Sequence, residues 1–169
     1  RQALGEEKDS EVLYRALIAR HPHSPLVPDA HLAVGEIEFN RNQFAKALDQ
    51  FNAIRKYPNS RVYPYGLYKA AWTHYNMRDA AKGLKKLEEV VTYGKTVAQT
   101  QVDSSRLDLR KEALNDMTLF FEEVYPAKAA YDYFREQAGD NEVGPILLRM
   151  ATLYERHSRF ADQRVVLDQ

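Results

Sequence analysis

Residues 20–24 read RHPHS and residues 56–60 read KYPNS, one joint met twice at a spacing of 36 residues. The spacing extends outward from the joints. Gly35 and Ala71 are 36 apart, as are Phe39 and Tyr75, Ala47 and Gly83, and Phe51 and Leu87. A fixed period in this range marks a stacked-repeat protein, because a single repeat cannot bury its apolar face without a neighbour. Such proteins usually work by offering an extended surface rather than by enclosing a reaction.

Apolar residues recur at helical spacing almost throughout, and no stretch alternates with period two. The chain is therefore expected to be all-α. Helices are predicted over 8–20, 29–41, 44–56, 62–77, 80–93, 105–124, 127–138, 144–157 and 160–169. Pro22, Pro25 and Pro28 separate the first from the second. Asn40–Asn42 forms a tight turn, since Asn tolerates the left-handed conformation that ends helices. Pro58, Asn59 and Ser60 end one helix and offer an N-cap for the next. Asp79 marks another short turn, and Gly94 and Gly139 read as C-cap glycines. Short joints force neighbouring helices to run antiparallel. The exception is 94–104, GKTVAQTQVDS, which delays the next repeat: Gly83 to Ala130 is 47 residues, 11 more than 36. An exposed loop or an irregular helical extension is expected there.

The 169 residues carry 24 Lys plus Arg against 24 Asp plus Glu, a formal net charge of zero. That argues against a nucleic-acid binder, which carries a basic excess to neutralise phosphates. It also removes the case for electrostatic attachment to anionic lipid. The chain has no cysteine, so it has no disulfide framework, thiolate metal site or thiol nucleophile. No apolar run approaches the ~20 residues that span a bilayer. The opening RQALGEEKDSEV reads as the interior of a longer protein and the closing FADQRVVLDQ stops inside a helical pattern, so the chain is expected to be a fragment. Val165, Val166 and Leu167 look like an apolar face without its neighbour.

The pattern of small and aromatic residues resembles the tetratricopeptide repeat. In that family helix A carries a small residue and a large aromatic, and helix B carries aromatic, small and aromatic positions. Residues 28–61 match through Gly35, Phe39, Phe44, Ala47, Phe51 and Pro58, and residues 64–97 through Ala71, Tyr75, Ala80, Gly83 and Leu87. A third unit, 111–140, keeps Phe121, Ala127, Ala130 and Phe134, with Thr118 in place of glycine. A fourth, 144–169, shows Ala151, Tyr154 and Phe160, with Gln163 where a small residue is usual. Residues 1–25 form a partial unit. Small residues let the paired helices approach and aromatics fill the space between pairs. The resemblance implies one right-handed superhelix, or solenoid, of antiparallel helix pairs.

RHPHSPLVPDAHLAVGE and KYPNSRVYPYGLYKAAWTHYN are also similar to repeats of bacterial envelope proteins. These include the lipoprotein type that binds the outer-membrane β-barrel assembly machine and the periplasmic partner type of the Tol–Pal system. Repeat proteins of envelope and motility complexes in gliding or predatory bacteria look similar as well. A periplasmic or outer-membrane-associated location follows from that likeness, with a cytoplasmic one still open.

The resemblance implies that helix A lines the concave surface. It places Leu32, Glu36, Phe39 and Asn40 on that surface in the first full unit. In the second it places Tyr65, Tyr68, Lys69, Trp72 and Asn76 there, together with Tyr75. Tyr65, Tyr68, Trp72 and Tyr75 are spaced 3, 4 and 3 apart and share one helical stripe. Tyr and Trp bring large contact area and a polar handle, and both are enriched at binding hot spots. A stripe at this spacing also suits a core, and Tyr75 holds a packing position. A subset of the family grips a C-terminal carboxylate through Lys, Asn and Arg. Those positions hold Leu32, Ala33 and Glu36, then Tyr68, Lys69 and Trp72, so that clamp is absent.

No catalytic constellation is read. His21 and His23 flank Pro22 in a joint, and His31 and Asp29 follow without metal-ligand spacing. His74 and His157 fall in different units as edge or satisfied interior residues. Glu88–Glu89 and Glu122–Glu123 are adjacent pairs whose side chains diverge by roughly 100° on a helix. They are poorly placed to share a proton as an acid–base dyad and read as solvated faces. No phosphate loop, nucleophile elbow or HExxH appears. The expected function is a protein-binding scaffold in a bacterial envelope assembly or motility complex. It holds a peptide or protein surface, with no cofactor, metal, nucleic acid or membrane insertion. A structural spacer or self-association segment, or a non-catalytic regulatory segment of an enzyme, are the alternatives.

Overall fold

The computed structural model describes residues 2–99 and 105–169, and side chains within 8–98 and 109–169. Among the described residues it is all-helical. The elements are α1 (Gln2–Arg20), α2 (Val27–Asn40), α3 (Phe44–Ala53), α4 (Tyr63–Asn76), α5 (Ala80–Gln99), α6 (Ser105–Val124), α7 (Ala130–Ala138), α8 (Asp140–Arg156) and α9 (Phe160–Leu167). Short 3₁₀ turns, Ile54–Lys56 and Ala127–Ala129, extend α3 and precede α7. The chain divides into two compact units, Arg1–Arg78 and Asp79–Gln169. The division falls inside the repeat read at 64–97.

In the first unit the sequence repeat is a backbone repeat. The His21 carbonyl accepts from Ser24 N–H at 2.9 Å, and the Tyr57 carbonyl accepts from Ser60 N–H at 3.0 Å. Val27 N–H then donates to the Ser24 carbonyl and Tyr63 N–H to the Ser60 carbonyl, both at 3.1 Å. The two serine hydroxyls accept from Leu26 and Val62 N–H, each at 3.3 Å. Ser60 thus braces the turn ahead of α4, whose N-cap is Val62. Pro28 and Pro64 occupy the first turns of α2 and α4, where a missing N–H costs nothing. Both helices end alike, on Asn42 at φ 58° and Arg78 at φ 64°.

The pair α2 and α3 packs with α4 laid against both, and α1 lies on α2. The core cluster is Ala47, Phe51, Ile54, Val62 and Ala70. Gly35 shows why a small residue stands at that helix position: a Cβ there would lie 2.5 Å from the buried Phe51 ring.

In the second unit α5 packs along α6, α8 lies against α6 and α7, and α9 lies against α8. Asp79 caps α5 by accepting from Lys82 N–H at 3.1 Å. The core gathers Phe120, Phe121, Phe134, Met117, Met150 and Tyr154, all fully buried. Phe121 stacks on both Tyr133 and Phe134 with ring centroids at 5.1 Å.

Two sequence readings need correction. Gly94 does not end a helix, because α5 continues to Gln99. Its bare backbone instead accommodates α6: a Cβ would come within 2.8 Å of Arg110 Cβ. The first part of the 94–104 segment is therefore helix, and 100–104 lies outside the described residues. Secondly, α8 begins at Asp140, before the expected 144, with Pro145 inside it. Gly139 at φ 93° supplies the sharp joint. Asp140 and Glu142 place negative charge at the helix start, where it complements the helix dipole. No helix among the described residues is long and apolar enough to cross a membrane.

Candidate functional site

The residues expected on the helix-A surface of the first unit fall into three groups. Leu32 and Phe39 are half-buried against the core cluster, and Phe39 also meets Phe44 edge-on at 5.4 Å. Glu36 and Lys69 form an ion pair at 3.0 Å that joins α2 to α4. The rest lie along α2 and α4 towards solvent in varying degree. Tyr65 is 42% exposed. Tyr68 and Trp72 are half-buried, and Asn40 and Asn76 are exposed. Trp72 meets Tyr75 edge-on with centroids 5.6 Å apart, and the Asn76 amide donates to the Trp72 carbonyl at 2.8 Å. The α4 stripe is thus part packing and part surface: Tyr65 is its exposed end and the Trp72 ring packs on Tyr75.

The second unit contains a hollow that the sequence reading did not single out. It lies between α6 and α8 and has a volume of about 400 Å³. Asn115, Asp116, Thr118 and Leu119 form one wall, and Arg149, Thr152, Leu153 and Arg156 the other. The walls are related by a 34-residue offset: Asn115 to Arg149, Thr118 to Thr152, Leu119 to Leu153. Both threonines turn their hydroxyls back onto the helix. Thr118 donates to the Asn115 carbonyl at 2.7 Å and Thr152 to the Leu148 carbonyl at 3.0 Å. The hollow therefore joins two leucines to the polar heads of Asn115, Asp116, Arg149 and Arg156. Arg149 and Arg156 are exposed and have no acidic partner among the described residues. Seven residues apart on one helix, they stand roughly 10 Å apart along its axis. The offset polar positions were the available signal. Aromatic residues drew the reading elsewhere, and the 11-residue delay hid the register.

The end of this hollow is electrostatically organised. Glu122 of α6 is not on a solvated face as its sequence suggests but nearly buried, with His157 Nδ1 at 2.7 Å and Arg159 at 3.9 Å. Burial raises its carboxyl above the ordinary 4.5, and His157 and then Arg159 oppose that. Arg159 also donates to the Glu122 carbonyl at 3.1 Å and lies 4.6 Å over the Tyr154 ring. Burial pushes the Tyr154 hydroxyl up to about 12. Tyr133 is raised further, by burial and then by its 2.7 Å hydrogen bond to Glu88. These tyrosines stay neutral and serve as packing.

Arg110 fixes the start of the same helix pair. It makes a two-pronged contact with Glu142 at 2.8 and 3.2 Å and donates to the Ala138 carbonyl at 3.3 Å. The walls are thus held at both ends, a precondition for a groove of constant width. No cluster of three or more metal-ligating side chains occurs among the described residues. His31 is engaged with Gln50 at 2.9 Å, while His21 and His23 are exposed.

No family model, no curated protein and no solved structure matches this chain.

Proposed function

We propose that this chain is a tetratricopeptide-like repeat module that binds a protein or peptide partner on its helix-A faces, α2 with α4 and α6 with α8. The α6/α8 hollow is the observation that carries this reading. It sets Leu119 and Leu153 beside Asn115, Asp116 and two arginines that have no acidic partner among the described residues, in walls pinned by Arg110 and Glu122. Arginine forks recognise carboxylates in two-pronged geometry, and a groove between helices suits an extended or helical segment. The repeated joints of the first unit support the repeat architecture, with serine braces and left-handed helix ends 36 residues apart. The role is non-catalytic. A place in a bacterial envelope assembly or motility complex rests on the similarity of the joint sequences.

The test is affinity capture from an envelope extract with three proteins: wild type, Tyr65→Ala/Tyr68→Ala, and Arg149→Glu/Arg156→Glu. Circular dichroism confirms that each variant folds. A partner lost with the arginine variant supports the α6/α8 groove. Loss with the tyrosine variant locates binding on α4. Equal capture by all three refutes both faces.

Self-association is the second reading, favoured by α9. Phe160 is 62% and Leu167 56% exposed, with Val165 between them at 39%. Light scattering over a concentration series separates the two: a concentration-independent monomer rules out self-association.

A further inference from the structure

The two repeated joints also form a surface of the first unit, ahead of α2 and α4, that shares no residue with the α2/α4 stripe of Leu32, Glu36, Tyr65 and Trp72. They lie side by side. A hollow of about 500 Å³ has His23 and Pro25 of the first joint on one side and Lys56 and Tyr57 of the second on the other. A second hollow of about 370 Å³ shares Pro22, His23 and Ser24 with it and continues to Arg20 and His21. Together they make one track from the end of α1 to the end of α3.

No carboxylate lines either hollow. Arg20 and Lys56 are exposed, and neither has an acidic partner among the described residues. The neighbouring Arg61 is different: Asp29 holds it at 2.9 Å. Among the described residues, positive charge therefore stands uncompensated at the two ends of the track. Ser24 and Ser60 use their oxygens to accept backbone N–H groups, which leaves each hydroxyl proton available to a ligand. The prolines have no N–H and offer ring surface. The lining is thus an apolar floor with hydrogen-bond donors and cations above it.

We infer that this joint groove binds an extended acidic segment of a partner protein. Its carboxylates pair with Arg20 and Lys56, and its apolar side chains rest on Pro22 and Tyr57. The cations are spread along the track rather than converging on one point, which suits an elongated ligand over a single small anion. Nucleic acid fits less well. Strand binding uses successive large aromatic platforms, and the track has one phenol ring, Tyr57, with only the smaller imidazoles of His21 and His23 beside it.

The test uses the whole chain, labelled for NMR and titrated with a short, end-blocked synthetic peptide of alternating glutamate and alanine. Amide shifts are expected at residues 20–24 and 55–60. Arg20→Glu/Lys56→Glu is expected to weaken binding there about tenfold or more, since like charges replace a complementary pair. Arg20→Gln/Lys56→Gln is expected to weaken it less, and Arg149→Glu/Arg156→Glu to leave it unchanged. Raising salt from about 0.1 M to about 1 M shortens the Debye length from ~10 Å to ~3 Å and is expected to weaken it further. The dispersion of each spectrum reports folding. No shifts at the joints, or joint shifts indifferent to the charge reversal, overturn the inference. Tighter binding of a single-stranded oligonucleotide at the same residues overturns the assigned occupant. Shifts confined to α6 and α8 overturn the joint site while supporting the proposed function, so the two readings fail separately.

Discussion

The two units hold a carboxylate in opposite ways. In the first, Glu11 of α1 is gripped by Arg15 at 2.8 Å and Arg41 at 2.6 Å. The hydrogen bonds from Arg15 and then Arg41 hold its carboxyl below the ordinary 4.5. In the second, Glu122 is taken out of water, and burial outweighs His157 and Arg159, so its carboxyl is raised. One carboxylate helps its unit because it is charged. The other is a cost when charged, retained where α6, α8 and α9 meet. The same contrast holds in packing. The first unit is built from near-identical joints around a glycine pressed on Phe51. The second departs from the 36-residue period and fills its core with stacked aromatics. The joints of the first unit repeat a local fit, whereas the second unit leaves a hollow of about 400 Å³ between α6 and α8.

The largest expected effect lies in the first unit. Gly35→Ala would drive a methyl group into the Phe51 ring and should destabilise by about 1–3 kcal/mol, measured by urea unfolding. In the second unit the helical Gly144 faces open space, with no side chain beyond its two chain neighbours within 4 Å of where an alanine methyl group would stand. Gly144→Ala should therefore change stability by less than about 1 kcal/mol, because the helix preference of alanine over glycine is opposed by the Pro145 ring, which crowds a preceding Cβ in helical backbone. Equal effects at the two positions would break the contrast between tight and loose packing. Gly139 comes next. Its φ of 93° makes Gly139→Ala costly by about 1–2 kcal/mol through backbone strain alone, although the space around it is open.

Smaller still is Tyr154→Phe. The Tyr154 hydroxyl is buried without a hydrogen-bond partner among the described residues. Its removal should be neutral or stabilise by up to about 1 kcal/mol. A clear loss of thermal stability would show that the hydroxyl is satisfied.

The most delicate prediction concerns pH. Glu11 has a lowered carboxyl, so its contribution is present above about 4.5 and fades as pH falls through its folded value. Glu11→Gln should therefore melt below wild type at neutral pH and converge with it in acid. Glu122 has a raised carboxyl, so the stability linked to its protonation is full below about 4.5 and is lost as pH rises through its folded value. Glu122→Gln should melt above wild type at neutral pH and also converge in acid. Melting curves that move in the same direction for both variants would remove the electrostatic half of the comparison.

Much of the helical order was legible because local chemistry decides it. Proline in the first turns of α2 and α4, Asn42 in a left-handed turn and Gly139 at a joint are read directly from residue type. Gly94 was not, since a glycine after an apolar run looks the same whether it ends a helix or admits a neighbour. Only the position of Arg110 decides between them, and that is a tertiary fact. The early start of α8 was hidden by Pro145, because proline usually stands near a helix start. At the candidate surfaces, residue spacing put the α4 aromatics on one stripe but could not separate Tyr65, exposed, from Trp72, braced by Tyr75. The α6/α8 hollow was illegible for the same reason as Gly94: its walls are polar residues on two helices, and their meaning depends on which faces meet.

The central claim is that the helix-A faces are working surfaces. Hydrogen–deuterium exchange on the whole chain, with and without the captured partner, tests it most directly. The account predicts slowed exchange in 109–124 and 140–156, the two walls of the hollow, with α7 and α9 little changed. Protection confined to α7 and α9, with α2, α4, α6 and α8 exchanging as in the free protein, would contradict it.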